Sequence, residues 1–385
     1  MNRASYLLVL IICMIGCKKP YNPPVIASSM NYLVVEGVIN AGSDSTVIKL
    51  SRTVNLSSNN TKNPERGAIL TVESDQNSVY PLTETKPGYY KVSGLNLDTT
   101  RKYRLDIKTS NNQQYLSDFE QVKTTPPIDS VGFTVQGNGL QIYVNTHDPA
   151  NNTRYYRWDY DETWKFHAQY QSNYISNGVA VVNRTADQYT YYCFANDTSS
   201  TIVLGSSAKL QQDVIYQNPV TSIESTSEKI ETEYSIQLHQ YALTGPAYSF
   251  WENIKKNTEQ LGSIFDAQPS NIMGNIHNVN NPAEPVIGYV SVCVVQTKRV
   301  FIFNGQLPNW NPTYPYNCVL DTFLFCRPPM CQNDVKLFLV PLGSAVIPVY
   351  EYPAGSHAPT GYLGADIDCT DCTLRGSKTQ PAFWR

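Results

Sequence analysis

From Tyr32 onward the chain alternates apolar and polar residues with the two-residue period of half-buried strands. In KYRLDIKT, Tyr103, Leu105 and Ile107 alternate with Arg104, Asp106 and Lys108, which sets one face on a core and the other in water. YLVVEGVIN, STVIKLSRTV, GAILTVESD, NSVYPLTET, GYYKVSG, KYRLDIKTS and QQYLSDFEQV are strand candidates separated by polar or Gly/Pro-rich turns. The run ends at Pro126-Pro127, a donor-free pair with fixed φ that reads as a short stiff linker. The pattern therefore predicts a β-sandwich domain over 32–125 and a second β-rich domain over 128–385.

In the second domain, RYYRWDYDETWKFHA puts Tyr156, Trp158, Tyr160, Trp164 and Phe166 on one face. Arg157, Asp159, Asp161, Thr163, Lys165 and His167 fall on the other. Glu162 has the parity of the aromatic face, where an unpaired carboxylate would cost several kcal/mol. The fold must therefore give it a cation, several backbone donors or a raised pKa, and Arg375 in the DCTLRG segment is the candidate partner, in a structural ion pair that fixes the C-terminal tail through Phe383 and Trp384. EKIETEYSIQLHQYAL is a further alternating run. One amphipathic helix is expected at about 245–261, capped by Thr244, with Pro246 in its first turn and Gly262 at its end. VIGYVSVCVVQTKRVFIF reads as a hairpin about Gln296-Thr297-Lys298.

The first residues follow a different rule. Arg3 precedes an apolar run, Tyr6 to Ile15, too short for a bilayer-spanning helix of about 20 residues but suited to a signal peptide. It ends Met14-Ile15-Gly16-Cys17, which resembles the lipobox of bacterial lipoproteins. Residues 1–16 are thus expected to be a lipoprotein signal peptide and Cys17 the lipidated residue. Residues 17–31, which include Pro20, Pro23 and Pro24, read as a tether. By resemblance to Gram-negative sorting, Lys18 favours the outer membrane, with the periplasmic and surface faces both open.

Charge narrows the partners. The chain carries 29 Lys+Arg against 32 Asp+Glu, a net charge of −3, with no basic stripe, which disfavours nucleic acid. Beyond Cys13 and Cys17 the cysteines are Cys193, Cys293, Cys318, Cys326, Cys331, Cys369 and Cys372. An oxidising envelope makes disulfides the expectation. Cys293, inside an apolar strand-like run, is the free-thiol candidate, leaving the other six to pair in a connectivity the spacing does not fix. A four-thiolate zinc site from Cys326-x4-Cys331 and Cys369-x2-Cys372 has permissible spacing but the wrong compartment. No metal or cofactor is expected.

The segment GAILTVESDQNSVYPLTETKPGYYKVSGLNLDTTRKYRLDI resembles carboxypeptidase-regulatory or transthyretin-like modules, consistent with an immunoglobulin-like sandwich. Three further pieces, LVVEGVIN…VIKLSRT, AYSFWENIKKNTEQLGSIFDAQPSNIMGNIHNVNNPAEPVIGYV and CTDCTLRGSKTQPAFW, together resemble the bacterial lipoproteins of domain-of-unknown-function family 4249, over nearly the whole mature chain. The resemblance implies an outer-membrane lipoprotein often encoded beside TonB-dependent receptors, and it carries over no catalytic residue. GxSxG, HExxH, Walker, GxGxxG and EF-hand motifs are absent from the sequence. Ser206-x-x-Lys209 lacks the companions of a penicillin-binding motif. The expected function is therefore a non-catalytic, lipid-anchored accessory or ligand-binding component. The alternative is a glycan hydrolase using carboxylates of the second domain, with Asp159, Asp161 and Glu162 the nearest cluster.

Overall fold

Alternating positions become strands in succession. The computed structural model describes residues 31–54, 63–259, 274–355 and 358–385. The proposed signal peptide, Cys17, nearly all of the tether, and the helix positions Leu261 and Gly262 lie outside these residues. The chain is mainly β, and among the described residues no helix is long and apolar enough to cross a membrane.

The first module contains β1 (Leu33–Asn40), β2 (Thr46–Arg52), β3 (Ile69–Ser74), β4 (Val79–Lys86), β5 (Tyr89–Val92), β6 (Lys102–Lys108), β7 (Gln114–Ser117), β8 (Glu120–Gln121) and β9 (Lys123–Thr124). The first half of β4 pairs with β3 and its second half with β5, with a register shift between Glu84 and Lys86. The sheet thereby turns over at β4, and its two halves enclose one core that includes Ile48, Leu70, Tyr90, Tyr103, Leu105 and Ile107. Gly88 makes the tight turn into β5 at φ +75°. A Cβ there would lie 2.6 Å from the carbonyl oxygen of Leu50, so only glycine fits.

The second module contains β10 (Ile128–Gln136), β11 (Gly139–Asp148), β12 (Tyr155–His167), β15 (Tyr192–Thr198), β16 (Val203–Ser206), β17 (Asp213–Glu224) and β18 (Glu233–Ala242). Between β12 and β15 lie β13 (Tyr174–Ser176) and β14 (Val181–Asn183). The helix α1 (Gly245–Glu259) follows β18. The Thr244 hydroxyl accepts from the N–H of Ala247, as the sequence leads one to expect of its cap. The sheet β10-β11-β17 faces β12 and its neighbours across a core of Tyr156, Trp158, Phe166, Tyr234 and Leu238.

After α1 the chain returns to the first module. β19 (Ile276–Asn278) pairs with β7, and β20 (Ser291–Val294) runs parallel between β1 and β9. Val286, Val290 and Val292 enter the first core. The chain then crosses at Val295 into β21 (Gln296–Phe303), which pairs with β18. The expected hairpin about Thr297 is thus corrected: β20 and β21 are consecutive strands of different sheets. Residues 32–125 are likewise not the whole first module. Pro126-Pro127 is no free linker either. Pro126 is buried, its carbonyl accepts from Gln240 Nε2 at 2.8 Å, and the carbonyl of Pro127 accepts from Thr146 Oγ1 at 2.9 Å.

The C-terminal part adds β22 (Asp321–Leu324), a π-helical turn over Val335–Leu339, β23 (Val346–Tyr352) and β24 (Gly361–Asp366). Order β22-β24-β23 makes a small sheet beside the β13-β14 hairpin, around Val335, Leu339 and Tyr362. Three disulfides staple it: Cys193–Cys372, Cys318–Cys369 and Cys326–Cys331. The four thiols of the zinc alternative are dispersed among these bonds. Cys293 is free and buried in β20, where burial pushes its thiol up to about 12.

Candidate site between the two modules

β12 divides its side chains by parity. The even positions fill the second core. The odd positions face away from it, and beside the first module they line a cleft of about 850 Å³. Its other wall is β1, the turn after it and β5, through Glu36, Asn40, Asp44 and Tyr89. An adjoining cleft of about 620 Å³ shares Glu36, Arg157, Asp159, Asp161 and Trp251.

Antiparallel register places Asp159 beside His239 and Arg157 beside Tyr241. His239 Nδ1 is 2.9 Å from Asp159 Oδ1, and the Tyr241 hydroxyl donates to the same oxygen at 3.0 Å. Arg157 donates to Asp159 Oδ2 at 3.2 Å. Its guanidinium lies over the rings of Tyr241 and Trp251 at 4.5 and 4.4 Å, two cation–π contacts that hold it flat on the cleft wall. The Arg157 Nε–H has no acceptor among the described residues, an unmet donor of the kind native interiors rarely leave. Burial pushes the Asp159 carboxyl up, but the His239 bond, the Arg157 guanidinium and the Tyr241 hydroxyl outweigh it and hold the group below the usual carboxylate range. Asp161 is the open member. Its side chain is 54% exposed, with His239 Nε2 3.7 Å from its Oδ2.

Chemically, this is a preformed polar wall with one committed carboxylate, one available carboxylate and aromatic faces. Sequence parity separates the two faces of β12, and the odd positions of β18 carry the opposite set, Gln237, His239 and Tyr241. The role of Trp251 and the closing wall from β1 depend on contacts between distant parts of the chain and leave no local signal.

Glu162 is buried, as its parity requires, but the expected Arg375 partner is corrected. Its Oε1 pairs with Lys229 Nζ, and its Oε2 accepts from the Tyr234 hydroxyl at 2.8 Å. Arg375 instead pairs with Glu228, whose other oxygen accepts from Trp164 Nε1 at 3.3 Å. The short 3-10 turn Glu228–Ile230 before β18 thus supplies the cation for Glu162 and the anion for Arg375. The tail docks on the second module through Trp384, which is buried, meets Phe194 and Phe301 edge-on, and donates to Glu233 at 2.9 Å. Phe383 stays half-exposed under Arg299.

Comparison with known proteins places the family. Residues 18–299 match the family described as domain of unknown function DUF4249. The chain belongs to that family. The DUF4249 match ends within β21, so CTDCTLRGSKTQPAFW, one of the three pieces carrying the sequence resemblance, lies outside it. The cleft residues on β1, β5, β12, β18 and α1 all lie within the match. No curated protein matches the chain. Among solved structures, chitinase ChiA74 from Bacillus thuringiensis is 14% identical, with a TM-score of 0.15, over 53% of this chain and 30% of that one. The chain spans less than a third of that chitinase, and a likeness this distant bears on neither fold nor activity.

Proposed function

We propose that this chain is a lipid-anchored, non-catalytic binding component of a Gram-negative outer membrane that holds a polar solute in the cleft between its two modules and works with a TonB-dependent receptor. The observation that carries the reading is the cleft itself, with Arg157, Asp159, His239 and Tyr241 already joined and Trp251 and Asp161 on its wall. Clefts between modules with a few convergent polar groups and aromatic faces are the usual geometry of small-ligand sites. The anchor at Cys17 is read from the lipobox-like sequence, and the receptor partner rests on the family resemblance.

The hydrolase alternative needs a proton donor and a second carboxylate in one cleft. Asp159 and Asp161 stand on either side of His239, but Asp159 is held ionised by three partners, the opposite of what a general acid requires. It leaves Asp159 only the role of base or nucleophile, with the proton donor to come from another carboxylate of the cleft.

Two measurements test the proposal. Thermal-shift screening of the chain against oligosaccharides, polyamines and short cationic peptides should give a stabilising compound whose effect is lost in Trp251→Ala and Asp161→Asn. Failure of every compound to distinguish wild type from these variants refutes the cleft. Mild-detergent capture of the lipidated protein from outer membranes should bring down a TonB-dependent receptor, and its absence refutes that partnership.

A further inference from the structure

The outer face of the second module's larger sheet is ordered in rows across its strands. Antiparallel register aligns Asp161 of β12 with Gln237 of β18, and Gln237 with Arg299 of β21. The next row aligns Asp159, His239 and Thr297. The tail covers this face from the other end, with the Arg299 guanidinium 3.6 Å from the centre of the Phe383 ring and Trp384 edge-on to Phe301. The Asp161 row is therefore the border between the open cleft and the docked tail.

The two ends of this row carry opposite charges that the fold leaves unmet. Among the described residues no carboxylate pairs with Arg299. It donates to two neutral oxygens, Ser235 Oγ at 3.0 Å and Gln237 Oε1, which leaves some of the five guanidinium N–H groups to spare. Burial lowers its pKa, and the charge that opposes this is Asp161. Asp161 itself is half-exposed, with His239 Nε2 3.7 Å away. In the neutral His239 ring the Nδ1 proton goes to Asp159, so Nε2 is a second acceptor beside Asp161 Oδ2. Gln237 gives its oxygen to Arg299 and keeps its amide N–H groups to donate. The other charges of the cleft are mostly spent, Arg157 on Asp159 and Glu36 on Lys49. Asp44, exposed on the facing turn, adds to the pull on a cation.

Each end asks for its own chemistry. Two adjacent acceptors, one of them anionic, fit an ammonium. A guanidinium with spare donors, flanked by an amide, fits a carboxylate. A neutral sugar would leave both charges unmet, and a polyamine would set a cation beside Arg299. Neighbouring strands lie about 4.8 Å apart, so the backbones of Asp161 and Arg299, two strands apart, are separated by about 10 Å. The guanidinium leans inward onto Gln237, which shortens the gap between the charged groups. At about 3.3–3.6 Å per residue, a dipeptide or tripeptide spans it and a single amino acid does not.

We propose that the cleft takes short peptides with free termini, the ammonium at Asp161 and His239, the carboxylate at Arg299, and Gln237 donating to a peptide carbonyl between them. This rests on the cleft reading and names the ligand class of that site.

Calorimetric titration of the chain with dialanine and trialanine tests it. At least one of the two should bind with a Kd below roughly 1 mM, and alanine itself should not. N-acetylation or C-amidation of the peptide should each weaken binding about tenfold or more. Asp161→Asn should abolish the penalty of acetylation and keep that of amidation, and Arg299→Gln should do the reverse. The blocked peptides need no variant, so they decide the question should Arg299→Gln loosen the tail. Absence of binding by both peptides, or equal binding of free and blocked forms, overturns the proposal. Spermidine or a neutral oligosaccharide that stabilises wild type but not Trp251→Ala, with no response to either peptide, overturns the peptide class and keeps the cleft. If no compound, peptide or other, tells wild type from Trp251→Ala, the cleft reading falls and the peptide site with it.

Discussion

Replacing Glu162 with Gln removes the charge that faces Lys229 but leaves an oxygen to accept from Tyr234. The Glu162 side chain is 5% exposed and that of Lys229 is 28% exposed, and the ammonium also lies 5.0 Å from the centre of the Trp164 ring. Breaking a fully buried pair costs about 3–5 kcal/mol. The partial access of Lys229 to water and the retained acceptor reduce this to about 2 kcal/mol. Glu162→Leu also leaves the buried Tyr234 hydroxyl without its acceptor, adding about 1–3 kcal/mol. Lys229→Met leaves an unpaired carboxylate inside and should cost about 3 kcal/mol. Because both changes act on one contact, the double variant Glu162→Gln, Lys229→Met should lose about 1–2 kcal/mol less than the sum of the singles. Urea titration followed by tryptophan fluorescence reads this directly, since Trp158, Trp164, Trp251, Trp310 and Trp384 all follow Pro127. A Glu162→Gln protein within about 0.5 kcal/mol of wild type, or strictly additive singles, refutes a structural role for the pair.

Asp159 gives the fold an acid-sensitive contribution. Its folded pKa is depressed, so the stability it supplies is present above the unfolded value of about 3.9 and is lost as pH falls through the lower folded value. Asp159→Asn should therefore flatten the loss of stability below about pH 4, and an unchanged pH profile of the urea midpoint counts against the network. Alkylation under denaturing conditions should label six more cysteines after reduction than before it, from the three bridges. Cys293, buried with its thiol raised to about 12, should react only after unfolding. Rapid labelling of Cys293 in the native protein would contradict its place in β20.

Much of the fold is written locally. Each strand candidate of the first module appears, because each is a short alternating run between turn-forming residues. β12 and β18 keep the faces their parity assigns, down to Glu162 on the buried side. What the chain hides is partnership. The positive partner of Glu162 sits in a 3-10 turn that only the folded approach of β12 and β18 brings alongside. The run VSVCVVQTKRVFIF carries no turn residue to announce that it leaves one sheet for another. Its first half is nearly all apolar, which is what a strand buried on both faces between parallel neighbours requires, and that reading fits β20 better than a hairpin does. The cleft is hidden for the same reason, since its two walls come from separate modules.

The passage of the chain through β20 has a mechanical side. β1 is the first strand after residue 31. It is bonded to β2 on one edge and on the other to β20 and, ahead of β20, to Ile287, with the N–H of Val35 donating to the carbonyl of Ile287 at 2.8 Å and that of Ile287 donating to the carbonyl of Leu33 at 2.9 Å. A pull on the segment ahead of Leu33 therefore loads an interior strand instead of peeling an edge. Through β20 the tension continues along the covalent backbone into β21 and the sheet of the second module. The two walls of the cleft thus bear any such load together, and a tug from the N-terminal side that deforms one module is transmitted to the other across the space where a solute would sit.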